Sequence, residues 1–276
     1  MYTRGSLSRK IGIYVIVLIM VGLMTYPLIW MIYSSLKTDR EIYLFPFSLP
    51  HKMQLGNWVQ AWKLGNLGRY FINSVFITSI SVFLVALLSS MAGYAFARLT
   101  FKGRDFLFYT FLLGLILPAQ ILIIPLFTFF DKIGILNTYF ALILPYIAWG
   151  LPLSIYIFKS FFLTLPEDIA DAAKIDGCSL FGLYWRIMLP LIRPALVTIA
   201  ILQSIGIWNE FLLALLFIYD DELKTIPVGL LAFYGYHNVN YKLVFSALSI
   251  TTIPIIIVYF IFEKQIVSGL TTGALD

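Results

Sequence analysis

Charge is scarce in this chain. Only 12% of its 276 residues are Asp, Glu, Lys or Arg, about half the share of a soluble domain. That scarcity excludes a disordered chain, an ordinary soluble enzyme and a protein whose main work is nucleic-acid binding. Cysteine is nearly absent: Cys178 stands alone, so no intrachain disulfide and no thiolate metal cluster can form. The two histidines, His51 and His237, lie far apart in polar stretches and do not suggest a shared metal. None of the 18 glycines is followed by lysine. The Gly-Lys-Ser/Thr ending of a Walker A phosphate loop is therefore missing, and the chain is not expected to hydrolyse ATP itself. His-Glu-x-x-His is missing too, which removes the zinc-protease reading.

What is present is apolar. Hydrophobic residues make up 61% of the chain and aromatics 17%, and the mean hydropathy is +0.91. A helix needs about 20 apolar residues to cross roughly 30 Å of hydrocarbon. Five charge-free runs are that long: Ile11 to Leu36, Tyr70 to Ala97, Phe106 to Phe130, Ile133 to Phe158 and Leu243 to Phe262. A sixth, Pro194 to Tyr219, is interrupted only by Glu210. Backbone polar groups must be satisfied within each segment in lipid. The expected fold class is therefore an all-α membrane protein with six transmembrane helices, over about 11–36, 70–97, 106–130, 133–161, 194–219 and 243–264.

The first run is longer than the apolar core of a signal peptide, and no clear small-x-small site follows it, so it reads as an anchor. The net charge of +5 rests on basic residues near the ends of apolar runs. The dense clusters are Arg4, Arg9 and Lys10, then Arg98, Lys102 and Arg104. The positive-inside rule puts those segments in the cytoplasm, with residues 1–10 and the tail 270–276 on the same side. The intervening segment 164–193 is then the longest cytoplasmic one.

That segment carries strong local signals. Pro166 suits a first helical position, and Glu167 and Asp168 complement the positive end of a helix dipole. Gly177 suits a helix stop, because it takes positive φ without strain. Ser179 is placed to cap a second short helix, Leu180 to Leu189, with Pro190 and Pro194 punctuating the way into the fifth span. Ile169, Ala172 and Ala173 share a small apolar face at i, i+3, i+4 spacing. Such a face fits a partner's groove. The competing reading is a helix lying on the membrane, but those helices carry bulky apolar and basic residues.

The run Asp171-Ala172-Ala173-Lys174-Ile175-Asp176-Gly177, followed by Leu189-Pro190 and Pro194, resembles the EAA loop of the membrane subunits of binding-protein-dependent ABC importers. Further stretches carry the resemblance along nearly the whole chain. They are Phe71-Ile72-Asn73-Ser74, Gly93-Tyr94-Ala95-Phe96-Ala97-Arg98, Pro118-Ala119-Gln120, Ile124-Pro125, Trp208-Asn209-Glu210-Phe211, Thr225 to Leu230 and Gly269 to Ala274. The set is similar to the maltose-permease type of carbohydrate importer, specifically its smaller six-span subunit. The resemblance implies the type I importer permease fold in a prokaryotic inner membrane. It implies coupling to an ATPase subunit through Ile169, Asp171, Ala172, Ala173, Asp176 and Gly177. The implied partners are a second, larger permease, two copies of the ATPase, an extracytoplasmic sugar-binding protein and membrane lipid. No cofactor is implied for this chain; ATP and Mg belong to the ATPase. Two departures stand out: Asp171 replaces the family's usual Glu, which shortens reach, and Cys178 replaces a small residue of similar size.

Other polar residues carry two readings each. Pro118, Gln120 and Pro125 interrupt the third span, either as a bent helix lining a polar path or as a packing kink. Asn209 and Glu210 lie about 24 Å along the fifth span, lining the outer mouth of a path or anchoring Trp208 at the interface. Ser89, Gly93 and Ala97 make small-x-x-x-small pairs that favour close helix contact. Tyr234, Tyr236 and Asn238 belong to a Tyr- and Asn-rich outer loop, which by resemblance faces the binding protein; a solvated connector is the alternative. An ion-coupled secondary transporter is the competing function. It needs buried ionisable groups near the midplane, and Glu210 is the one such residue in the spans.

Overall fold

The computed structural model describes residues 7–234 and 239–272. It is helical throughout, with one isolated backbone bridge pairing Tyr234 and Val239. In chain order the helices are α1 (Leu7–Ser35), α2 (Asp39–Leu44), α3 (Gly56–Leu64), α4 (Leu67–Arg98), α5 (Arg104–Leu113), α6 (Ile123–Lys132) and α7 (Phe140–Thr164). Then follow α8 (Glu167–Ile175), α9 (Leu180–Leu183), α10 (Leu189–Leu191), α11 (Arg193–Trp208), α12 (Leu212–Phe217), α13 (Ile226–Gly229) and α14 (Tyr241–Thr272). Contacts divide the chain into two compact units, Met1–Gly68 with Gly229–Pro254, and Arg69–Val228 with Ile255–Asp276.

Among the described residues, four uninterrupted helices are long and apolar enough to cross a membrane: Lys10–Ser35, Leu67–Arg98, Phe140–Thr164 and Tyr241–Ile261. A fifth is reached if Leu180–Leu191 and Arg193–Trp208, bent by 74°, count as one span. The third span expected over 106–130, with its interruptions at Pro118, Gln120 and Pro125, is not one continuous helix. It is broken into α5, a 3-10 turn Ala119–Leu122, and α6. Pro118 explains the break: it has no N–H to give the ladder and adopts ψ 125°. Pro125, in contrast, sits in the first turn of α6, where its missing donor removes no helical bond. The helix expected from residue 133 starts at Phe140, because Gly134 at φ 71° and Asn137 at φ 56° hold a turn before it. The span expected over 194–219 stops at Trp208 and resumes as α12.

In the larger unit, α4, α7, α11 and α12 pack around Ile77, Ala141, Leu142, Ile207, Leu213 and Phe217. Phe96 of α4, Phe108 of α5 and Ile155 of α7 form a second contact region. Two glycines set the spacing. A Cβ on Gly93 would lie 2.7 Å from the Cβ of Phe158 and 3.0 Å from the Lys159 nitrogen. A Cβ on Gly150 would lie 2.8 Å from Val85 and 2.9 Å from the Gln203 side-chain oxygen. Small residues let helices approach closely where lipid supplies no hydrophobic drive.

The smaller unit is organised around the end of α1. Lys37 is fully buried, and its ammonium donates to the carbonyls of Phe45 and Pro46, both at 3.0 Å. Burial pulls its pKa below the usual lysine value, while Glu41 pulls the other way. Asn57 donates to the Ser35 and Lys37 carbonyls at 2.9 and 2.8 Å, which ties α3 back to α1. Thr38 and Glu41 close a capping box on α2. The segment between the first two spans thus folds on itself.

The glycine spacing yields a prediction. Gly93→Val should cost about 1–3 kcal/mol through overpacking, read as a lower thermal midpoint in detergent. An unchanged midpoint would contradict the close approach of α4 to α7.

Candidate functional site

The segment between α7 and α11 forms a compact lobe. α7 ends at Thr164, and Leu165 and Pro166 are extended, with ψ 138° and 139°. Pro166 is the N-cap of α8, one position earlier than the expected first helical residue. Glu167 and Asp168 occupy the first turn and Lys174 the last, each complementing the dipole. The stop is a Schellman motif. Gly177 takes φ 77°, its N–H donates to the Lys174 carbonyl at 3.0 Å, and the Cys178 N–H donates to the Ala173 carbonyl at 2.9 Å.

The expected apolar face of Ile169, Ala172 and Ala173 is exposed only in part on this chain. Ala173 is buried at 6% exposure, and Ile169 and Ala170 pack beside it against Tyr94, Phe158, Phe162 and Tyr184. Ala173, and in part Ile169, therefore help seat α8 on its own chain. The outward side carries Asp168, Asp171, Ala172, Ile175, Asp176 and Gly177, all exposed. Asp168, Ala172 and Ile175 follow i, i+4, i+7, so they form one stripe. Ile175 is 86% exposed. Asp171 accepts from Lys174 at 2.9 Å and raises the Lys174 pKa. Both side chains are largely exposed, so the pair adds little stability.

Ser179 accepts from the Gly182 N–H at 3.1 Å and caps the next helix, as expected. That helix is not regular over 180–189. α9 passes into a π-helical turn, Tyr184–Met188, and then α10. The extra residue per turn accompanies a buried contact: the hydroxyls of Tyr184 and Ser90 share a hydrogen bond of 2.8 Å. One turn along α4, Tyr94 meets the rings of Phe162 and Tyr184, both at 5.3 Å.

The candidate path residues are dispersed. Gln120 is exposed on the 3-10 turn before α6. Asn209 donates to the Ile205 carbonyl at 2.8 Å and so serves its own helix end. Glu210 bridges the α11–α12 break. It accepts from the N–H groups of Leu213 at 2.8 Å and Ala214 at 3.2 Å, and from the Tyr146 hydroxyl at 2.7 Å. Its carboxylate replaces the helical acceptors lost at the break.

Several polar residues hold this region; the sequence marked Asn73 and Ser74 only within a resemblance and did not mark Gln203. Asn73, buried near the start of α4, donates to the carbonyls of Glu222 and Lys224 at 2.8 and 2.9 Å and accepts from Tyr139 at 2.9 Å. Ser74 accepts from the Ile226 N–H at 2.9 Å. Gln203, inside α11, donates to Ser154 at 3.1 Å and to the Gly150 carbonyl at 3.3 Å. A polar residue within an apolar run was the available signal in each case. Tyr234 is exposed, while Tyr236 and Asn238 lie outside the described residues.

An all-helical chain with several membrane-length helices and a helical lobe between two of them is the architecture of a multi-pass membrane protein. A family model described as the inner membrane component of binding-protein-dependent transport systems matches residues 86–272. The chain belongs to that family, the permeases of ABC transporters. It is 40% identical over 276 residues, covering 99% of each chain, to the trehalose/maltose transport system permease protein MalG of Thermococcus litoralis. It is 36% identical over 252 residues, covering 90% of each, to the arabinooligosaccharides transport system permease protein AraQ of Halalkalibacterium halodurans. In fold it is similar to a chain of a bacterial ABC transporter that imports the acidic polysaccharide alginate, with a TM-score of 0.83 at 22% identity, covering 96% of this chain and 98% of that one.

The Glu210 contacts yield a prediction. Tyr146→Phe should cost about 1.5–3 kcal/mol, the range for a bond to a charged group, and lower the thermal midpoint of the purified protein. A midpoint equal to the wild type would show that Tyr146 does not hold the break.

Proposed function

We propose that this chain is a permease subunit of an ATP-driven carbohydrate importer in a prokaryotic inner membrane. Its substrates are di- or oligosaccharides, the class that the similar MalG and AraQ systems are named for. In this reading the path has six membrane passages: α1, α4, the broken α5–α6 element, α7, α11 with α12, and α14. Both termini and α8 are cytoplasmic, which agrees with the basic clusters at Arg4 to Lys10 and Arg98 to Arg104. A second permease completes the path. Two ATPase copies, holding ATP and Mg, supply the energy that a chain without a Walker A loop lacks. A binding protein delivers the sugar to the outer side, where Tyr234, Tyr236 and Asn238 face it.

One observation carries the coupling role. α8 carries Glu167 and Asp168 in its first turn, ends in a Schellman stop and is anchored by Ile169 and Ala173, yet presents an exposed stripe of Asp168, Ala172 and Ile175. A short rigid helix with an outward apolar side chain flanked by acids suits a groove in a partner. Asp171, Asp176 and Gly177 border the same stripe. Asn209 and Glu210 end the fifth span near its outer side, and Gln120 lies on the broken third element. The ion-coupled alternative is not favoured, because both oxygens of Glu210 are engaged in bridging the α11–α12 break.

The test is retention and uptake. With the co-encoded partners, affinity-purified wild-type chain should retain the ATPase, and proteoliposomes should take up at least one of maltose, trehalose, diacetylchitobiose or arabino-oligosaccharide in an ATP-dependent way. Ala172→Trp places bulk on the outward stripe and should reduce ATPase retention about tenfold, a loss of about 1.4 kcal/mol. Full retention would refute docking through this face. Uptake that follows an ion gradient and ignores ATP would refute the importer assignment.

A further inference from the structure

One face of α4 meets the α8 lobe at three successive turns. Ser90, Tyr94 and Arg98 are spaced i, i+4, i+8, so they stack along the cytoplasmic end of the helix. Ser90 bonds Tyr184, and Tyr94 packs on Phe162 and Tyr184. Arg98, the last residue of α4, reaches the joint between α7 and α8. Its Nε donates to the Phe162 carbonyl at 3.1 Å and its Nη2 to the same carbonyl at 2.6 Å. Nη2 also donates to the carbonyl of Leu165, the C-cap of α7. Nη1 lies 3.9 Å from the Glu167 carboxylate, the first residue of α8.

These contacts are unequal. Glu167 is 88% exposed and distant, so its ion pair is weak. The carbonyl bonds are different. The Arg98 side chain is only 10% exposed, and it donates to the Phe162 and Leu165 carbonyls where α7 ends, at the negative end of the helix dipole. A planar guanidinium holds its several donors in a fixed fork, whereas an ammonium is a compact charge on a flexible stem and orients its acceptors less rigidly.

We infer that Arg98 is a positioning residue for energy coupling: it fixes the Leu165–Pro166 joint, so that displacement of α8 is passed to α4 and α7 instead of being absorbed at the joint. The inference rests on the docking role proposed for α8. Leu165 and Pro166 are the only two residues between α7 and α8, and both are extended. Among the described residues the Arg98 fork spans that joint from a third helix. With Arg98 in place, α4, α7 and α8 move together. Without it, the ATPase can still bind α8 and hydrolyse ATP, but less of the motion reaches the spans.

The experiment compares wild type, Arg98→Gln and Arg98→Lys in proteoliposomes holding the whole assembly, with the sugar of the panel above that the wild type takes up. The readout is sugar transported per ATP hydrolysed, alongside ATPase retention on purification. Arg98→Gln should retain the ATPase and hydrolyse ATP while the ratio falls about fivefold or more, the scale of a modest coupling free energy. Arg98→Lys should fall between the two. A wild-type ratio in Arg98→Gln, or loss of the ATPase along with the ratio, would overturn the assignment. If Arg98→Gln does not accumulate, Arg98→Lys decides: a reduced ratio with the ATPase bound supports it, and a wild-type ratio overturns it. Ala172→Trp in the same assay separates the two ideas. Full ATPase retention there refutes docking by α8. Loss of the ATPase there with normal coupling in Arg98→Gln refutes only the role of Arg98.

Discussion

Backbone groups in hydrocarbon must find partners inside the protein, and this structure depends on how that demand is met wherever a helix breaks. Uninterrupted helices satisfy it automatically. The breaks need side chains. Glu210 takes two N–H groups at the start of α12, Arg98 serves two carbonyls at the end of α7, and Asn73 and Ser74 hold the segment after α12. Each of these residues looks, in a hydropathy profile, like an intrusion into an apolar chain. Each is instead what allows the chain to change direction at or near the membrane.

The same demand shapes the α8 lobe. A helix joined to its bundle by two extended residues would swing unless other contacts fixed it. Ile169 and Ala173 bury one side of α8, and Arg98 closes the joint. The remaining side carries Ile175, a large apolar residue left 86% exposed by the described residues. Burying such a side chain fully is worth about 1.5–3 kcal/mol, which is a sound reason for a partner to take it up. The scarce charges of the chain frame this face. Asp168, Asp171 and Asp176 stand around it, while the spans contain almost none.

Much of this was legible from the residues. Apolar runs of the right length located α1, α4, α7 and α14, because hydropathy over 20 residues reports what a bilayer selects. The charged first turn and the stop of α8 were legible from Glu167, Asp168 and Gly177, since those preferences are local. The interruption of the third span was legible from Pro118, but the break of the fifth was not, because averaged hydropathy is blind to where Glu210 replaces a ladder. The seating of α8 on its own chain was not legible for a related reason. Alanines at i, i+3, i+4 mark a face but not which way it points, and the aromatic floor under Ala173 comes from α4, α7 and the π-helical turn, distant in sequence. Arg98 was legible as part of a basic cluster and of a resemblance but not as a contact at the α7–α8 joint, because its acceptors are carbonyls that sequence does not distinguish.

The central claim is that the outward stripe of α8, and not its alanine face as a whole, meets the ATP-hydrolysing partner. Site-directed cross-linking tests it directly. In a Cys178→Ser background, which removes the sole native cysteine, single variants Ala172→Cys, Ile175→Cys and Ala173→Cys are treated in membranes with a short thiol-to-amine cross-linker. The account predicts adducts with the ATPase subunit from positions 172 and 175 and none from position 173. Efficient cross-linking from 173, or none from 172 and 175, would contradict it.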